Sequence, residues 1–82
     1  MKKPEKIKGS YGKPFYNQNI GENIRILRIR NFIKQQDLSS VLGISRQMLS
    51  HYENNKYLVP EEIVKKIIIH FNIELSDLLQ KF

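Results

Sequence analysis

The chain has no cysteine, which removes disulfides and thiolate metal sites together and fits a reducing compartment. Apolar runs are short. The longest aliphatic stretch is Ile67–Ile69, too short to span a bilayer, and the N-terminus lacks the apolar centre of a signal peptide. A cytoplasmic protein is expected. The two histidines, His51 and His70, lack the spacing of metal ligands, and His70 beside Phe71 reads as a helix-flank residue. There is no phosphate-binding glycine loop, and Asp37 and Glu53 have no evident partner carboxylate. These gaps argue against an enzyme and against any cofactor or metal. No stretch alternates with period two for long enough to suggest a sheet, and no internal repeat is present.

What remains is small and basic. The 82 residues make one domain; a chain of this size buries roughly 60–65% of the surface that its unfolded form exposes. Hydrophobic content of 40% is enough for a packed core. The net charge of +6 is unevenly spread. Residues 1–18, "MKKPEKIKGSYGKPFYNQ", carry five lysines (Lys2, Lys3, Lys6, Lys8, Lys13) against Glu5. Residues 19–82 hold the other nine of the 14 basic groups and seven of the 8 acidic ones. With Pro4, Pro14, Gly9 and Gly12, the first 18 residues read as a basic N-terminal arm ahead of a domain over 19–82. Such arms are commonly solvated and less commonly contact polyanions. Tyr11, Phe15 and Tyr16 are unusual in a plain tail.

From Ile20 the apolar pattern is helical. Ile20, Ile24 and Leu27 fall at i, i+4, i+7 and predict a first helix to about Arg30. Leu38, Val41 and Leu42 predict a short second helix from about Gln35, stopped by Gly43, which can adopt the left-handed conformation. Ser45 suits the N-cap of a third helix with Met48, Leu49 and Tyr52 inward. "ENNK" breaks that helix, because asparagine tolerates the left-handed region. Pro60 opens a fourth helix, with Glu61 and Glu62 at its positive end and a core stripe of Val64, Ile67, Ile68 and Phe71. Asn72 ends it, and "LSDLLQKF" supplies a fifth. The expected fold is all-α, with five short helices.

Two helices joined by a short turn centred on glycine form a helix-turn-helix if they pack at a steep angle. Leu38, Leu42, Ile44 and Leu49 would be the buried seam, with small Ser39 at the closest approach. Outside the seam, Arg46, Gln47, Ser50 and His51 share a polar face whose donors and acceptors could meet base edges in a major groove. A helical hairpin with a solvated polar face fits the same pattern, and helix periodicity does not choose between them.

From Ile20 to Leu79 the chain resembles the XRE-type (lambda repressor/Cro-like) helix-turn-helix family. The matching stretches are "IGENIRILR", the run from Gln35 to Ser50 that contains "LGISR", then "YENNK" and "FNIELSDLL". The resemblance implies a compact five-helix domain that binds double-stranded operator DNA, usually as a homodimer, with the third helix in the major groove. It implies base contacts from Arg46, Gln47 and His51, a phosphate contact from Gln35 where a helix N-terminus favours an anion, and backbone contacts from Asn54, Asn55 and Lys56. Ser45 would be a cap first and a phosphate ligand second. Arg28 and Glu53 would pair to brace the third helix from behind.

The chain departs from the family in places. Lys34 stands where a Ser or Thr cap is favoured, and a phosphate contact from its amine could compensate. Asn55 replaces a common glycine. Ile26, Ile29 and Phe32 fall where relatives carry polar residues. Tyr11, Phe15 and Tyr16 could fold back over that face, or a partner subunit could cover it. Leu78, Leu79 and Phe82, with the start of the fourth helix, are the candidate dimer interface. No further domain is expected after the fifth helix, so control is expected to rest on concentration, dimerisation or a separate protein partner. Phage repressors, restriction–modification controllers and antitoxins are all built this way. The implied function is a sequence-specific transcriptional regulator, a repressor by preference, found in the cytoplasm and with the nucleoid when bound. The alternative is a protein-interaction module, or an antitoxin-type partner-binding protein, on the same fold.

Overall fold

Helix α1 (Gln18–Arg30) forms along the first apolar stripe, and it buries Ile20 and Ile24 completely. The computed structural model describes residues 18–80. After α1 come α2 (Gln35–Leu42), α3 (Arg46–Glu53), α4 (Glu61–Phe71) and α5 (Leu75–Leu79), with no strand among the described residues. Residues 1–17, including Tyr11, Phe15 and Tyr16, lie outside the described residues, as does Phe82.

Each of the first four helices stops by the same device. One or two residues past the end the backbone swings into the left-handed region, at Phe32 (φ 57°), Gly43 (φ 74°), Asn55 (φ 61°) and Asn72 (φ 54°). The next residue's N–H then donates back to a carbonyl of the last turn: Ile33 to Arg28 at 3.0 Å, Ile44 to Ser39 at 3.0 Å, Lys56 to His51 at 2.8 Å and Ile73 to Ile68 at 3.1 Å. This closes the helix end and satisfies carbonyls that would otherwise lack donors. Glycine and asparagine accept this conformation readily, but a phenylalanine held there is strained.

The core gathers one stripe from each helix: Ile20 and Ile24, Leu38 and Leu42, Leu49, Ile67 and Leu78 are all fully buried. At the crossing of α1 and α3 a Cβ added to Gly21 would lie 2.0 Å from the Tyr52 carbonyl oxygen. Only glycine permits that approach. Asn23, also buried, donates its amide to the Leu78 and Gln80 carbonyls at 2.7 and 2.6 Å, tying α1 to the end of α5. The Asp77 carboxylate accepts from the Glu74 N–H at 2.9 Å, which closes the start of that short helix.

Three expectations change. Val41 is half exposed, in an open surface hollow that it lines with Lys66, Ile69 and His70 of α4. Ile63 is buried on α4 although the expected stripe began at Val64, while Ile68 and Phe71 are only partly covered. Leu78 faces the domain's own core, so it is not available as a dimer contact. On the second face of α1, Ile29 and Phe32 remain exposed, and Ile26 is half covered.

Candidate nucleic-acid interface

The turn between α2 and α3 is set locally. Lys34 occupies the N-cap of α2 in extended backbone (φ −75°, ψ 153°) with no side-chain cap bond, as a lysine cannot accept one. The Ser39 hydroxyl, buried at the seam, donates to the Gln36 carbonyl at 2.9 Å. The Lys66 ammonium donates to the Leu42 carbonyl at 3.0 Å, a favourable placement for a cation at a helix C-terminus. After Gly43, Ser45 caps α3: its Oγ accepts from the Met48 N–H at 3.0 Å.

Helical spacing then sorts α3. Leu49, Tyr52 and Glu53 are buried, and Ile44 and Met48 pack partly against the core. Arg46 and Gln47 are exposed, with Ser50 and His51 half-buried one turn later on the same face. Asn54, Asn55 and Lys56 follow, all exposed. Asn54 donates its amide to the Ser50 carbonyl at 2.9 Å and to the Ser50 Oγ at 3.3 Å. That hydroxyl therefore accepts one bond, and its own proton can serve a further acceptor.

Behind this face lies a charged network. Glu53 is 1% exposed at its side chain, yet its carboxylate accepts from Arg28 Nε at 2.7 Å, Arg28 Nη2 at 3.1 Å and Gln35 Nε2 at 3.0 Å. Arg28 Nη1 donates to the Ile33 carbonyl at 2.9 Å. The guanidinium is thus bound on two sides, to α3 and to the turn before α2. Gln35 joins the ion pair to the exposed face: its Oε1 accepts from Arg46 Nη1 at 3.5 Å. Among the described residues no buried side-chain polar atom lacks a partner.

Hydrogen bonding puts Gln35 beside Arg46, helical spacing gives Arg46, Gln47, Ser50 and His51 one face of α3, and Lys34 precedes Gln35 in the chain as Asn54–Lys56 follow α3. One contact and one residue were not foreseen. Glu53 holds Gln35 as well as Arg28, which spacing alone does not reveal because the residues are 18 apart. Tyr57 places its ring edge against His51, with centroids 5.2 Å apart and an interplanar angle of 85°. Its position just after the α3 break was the available signal. Among the described residues no group of His, Asp and Glu is arranged to hold a metal.

Comparison with known proteins finds similar sequences and a similar fold. The family described as "Helix-turn-helix domain" matches residues 21–81. Antitoxin PezA of Streptococcus pneumoniae serotype 4 is 37% identical over 60 residues, which cover 73% of this chain and 38% of PezA. The ImmF control region 10 kDa protein of Bacillus phage phi105 is 33% identical over 59 residues, covering 72% of this chain and 66% of that protein. The chain thus spans less than two thirds of either relative. The P22 c2 repressor, solved in complex with synthetic operator 9T, superposes with a TM-score of 0.68 at 25% identity, over 78% of this chain and 97% of that one.

Proposed function

The chain belongs to the XRE-type (lambda repressor/Cro-like) helix-turn-helix family of DNA-binding transcription regulators, and on that premise we propose that it is a repressor reading the major groove with α3. The observation that carries this reading is the outward face of α3, Arg46, Gln47, Ser50 and His51, on a helix anchored from behind by the buried Glu53–Arg28 pair. Arg46 suits the two acceptors of guanine and Gln47 the acceptor and donor of adenine. The Ser50 hydroxyl donates to a base edge or phosphate, and His51, steadied by Tyr57, reaches the next base. Around them Lys34, Gln35, Ser45, Asn54, Asn55 and Lys56 hold phosphates and fix the register. The uncapped N–H groups at the start of α2 favour an anion there. The basic segment ahead of α1 acts as an arm that adds sequence-independent affinity to the helical domain. Two copies occupy a two-fold operator with half-sites about 10 bp apart.

Salt titration of binding to duplex DNA tests this reading. Neutralising six to ten phosphates makes the affinity fall by about 10³–10⁵ between 50 and 200 mM salt. Absence of binding at low salt overturns it. A second reading, an antitoxin-type partner-binding protein, is favoured by the likeness to PezA and by Ile29 and Phe32, which are 47% and 95% exposed. Loss of DNA binding together with retained capture of a cognate toxin would select it.

A further inference from the structure

We propose that the outer face of α1 and the turn after it, Ile26, Ile29 and Phe32 rimmed by Arg25 and Arg30, form a docking site for an acidic amphipathic helix of a partner protein. The proposal deepens the second reading above and rests on this chain having a protein partner.

Helical spacing defines the face. At about 100° per residue, Ile26 and Ile29 fall opposite Ile20 and Ile24, the pair that α1 buries completely. Arg25 and Arg30, both exposed, come out on either side of them. Phe32 continues the line: its N–H donates to the Ile29 carbonyl at 3.0 Å, which fixes it a turn beyond Ile29. Surface hydrophobics scattered singly are ordinary. Here three follow one line, and the last is held in the left-handed region at φ 57° with its ring 95% exposed. The domain bears the strain of that backbone and buries almost none of the ring. Strain kept at an exposed apolar tip, without return from the fold, points to a contact made with another molecule.

Charge decides what can cover the face. Between Glu22 and Asp37 the chain carries no acidic residue, and Arg25, Arg30 and Lys34 are exposed there. A second copy laid face to face would set these cations against their own images. The segment ahead of α1, with five lysines against Glu5, has the same sign. DNA would answer the cations and leave the apolar line unmatched. An acidic amphipathic helix meets both requirements. Its apolar stripe, at i, i+3, i+4 and i+7, lies along the isoleucines and the ring, and its carboxylates reach the arginines.

The probe is a synthetic peptide of about 15 residues, long enough to form a helix when bound, with leucines at i, i+3, i+4, i+7 and i+11 and glutamates beside them. A second peptide carries lysines in place of the glutamates. Each is titrated into the full chain, and backbone amide shifts report where it binds. The glutamate peptide should saturate with its shifts gathered on residues 25–33, and the lysine peptide should not bind. Phe32→Gly and Ile29→Ser should each weaken the glutamate peptide by at least about tenfold, as for loss of an anchoring side chain, with duplex-DNA affinity unchanged. Phe32→Gly relieves strain, so its loss of binding cannot come from unfolding.

Shifts gathered on α3 or Lys56, or equal peptide affinity in the variants, overturn the inference. A fall in DNA affinity in Phe32→Gly also overturns it, since the ring then belongs to the DNA surface. So does self-association of the wild type that Phe32→Gly abolishes, because a second copy then covers the face. These failures leave the second reading standing, as a toxin can seat on another surface. That reading fails separately, when no toxin is captured, and the peptide result does not depend on it.

Discussion

Removing Arg28 should cost far more than removing both members of its ion pair. The Glu53 side chain is 1% exposed and Arg28 13%, so the pair sits where water cannot replace a lost partner. In Arg28→Met the carboxylate keeps only the neutral Gln35 donor at 3.0 Å, and the Ile33 carbonyl loses its 2.9 Å donor. Stranding one charge of a buried pair typically costs about 3–5 kcal/mol. A domain of this size has a total stability of only about 5–10 kcal/mol. Each kcal/mol corresponds to about 4–8 °C, so the melting temperature should fall by on the order of 20 °C. Arg28→Met with Glu53→Met exchanges the pair for apolar side chains of similar reach, and it should recover most of that loss because the desolvation cost vanishes with the charges. Thermal unfolding of the wild type, both single variants and the double variant closes the cycle. If the double variant is as unstable as the sum of the singles, the residues act independently and the buried-pair account is wrong.

Other substitutions probe separate parts of the fold and surface. Gly21→Ala puts a Cβ 2.0 Å from the Tyr52 carbonyl oxygen, and because backbone cannot move aside it should destabilise by about 3 kcal/mol, at the upper end for overpacking; an unchanged melting temperature would contradict the close crossing of α1 and α3. Phe32→Gly relieves a left-handed phenylalanine whose ring is 95% exposed and so gives up little packing. It should stabilise by about 1 kcal/mol, and calorimetry showing a loss would mean the ring has a partner in solution. Lys34→Ser supplies the missing cap of α2, worth about 1 kcal/mol, and removes a cation from the proposed phosphate surface. Stability should rise while the logarithmic salt slope of DNA binding becomes shallower by about one; a slope unchanged from wild type would remove Lys34 from that surface.

What could be read from the sequence was what is decided locally. Gly43 turns at φ 74°, Ser45 caps through a residue three positions on, and the asparagines at 55 and 72 end their helices, because the conformational preferences involved belong to single residues. The outward face of α3 followed from helical spacing once Leu49 and Tyr52 were assigned inward. What escaped depends on contacts between distant segments. Gly21 looks like a weak point in a helix until α3 crosses it. Asn23 looks like an ordinary polar residue until the α5 carbonyls, 55 and 57 positions on, arrive to be satisfied. Val41 and Leu78 were assigned by hydrophobicity, which does not say which neighbour covers which flank. Phe32 broke the conformational rule that located Gly43, and no local preference predicts a phenylalanine there.

If α3 reads bases, Arg46 and Gln47 carry the preference. Selection of bound duplexes from a random pool, run with the wild type and with Arg46→Ala and Gln47→Ala, tests it most directly. The wild type should yield a defined motif, and each variant should lose preference at its own base while retaining the rest, at a cost of about 1–3 kcal/mol for the cognate site. If both variants return the same motif with the same affinity, α3 does not read the DNA.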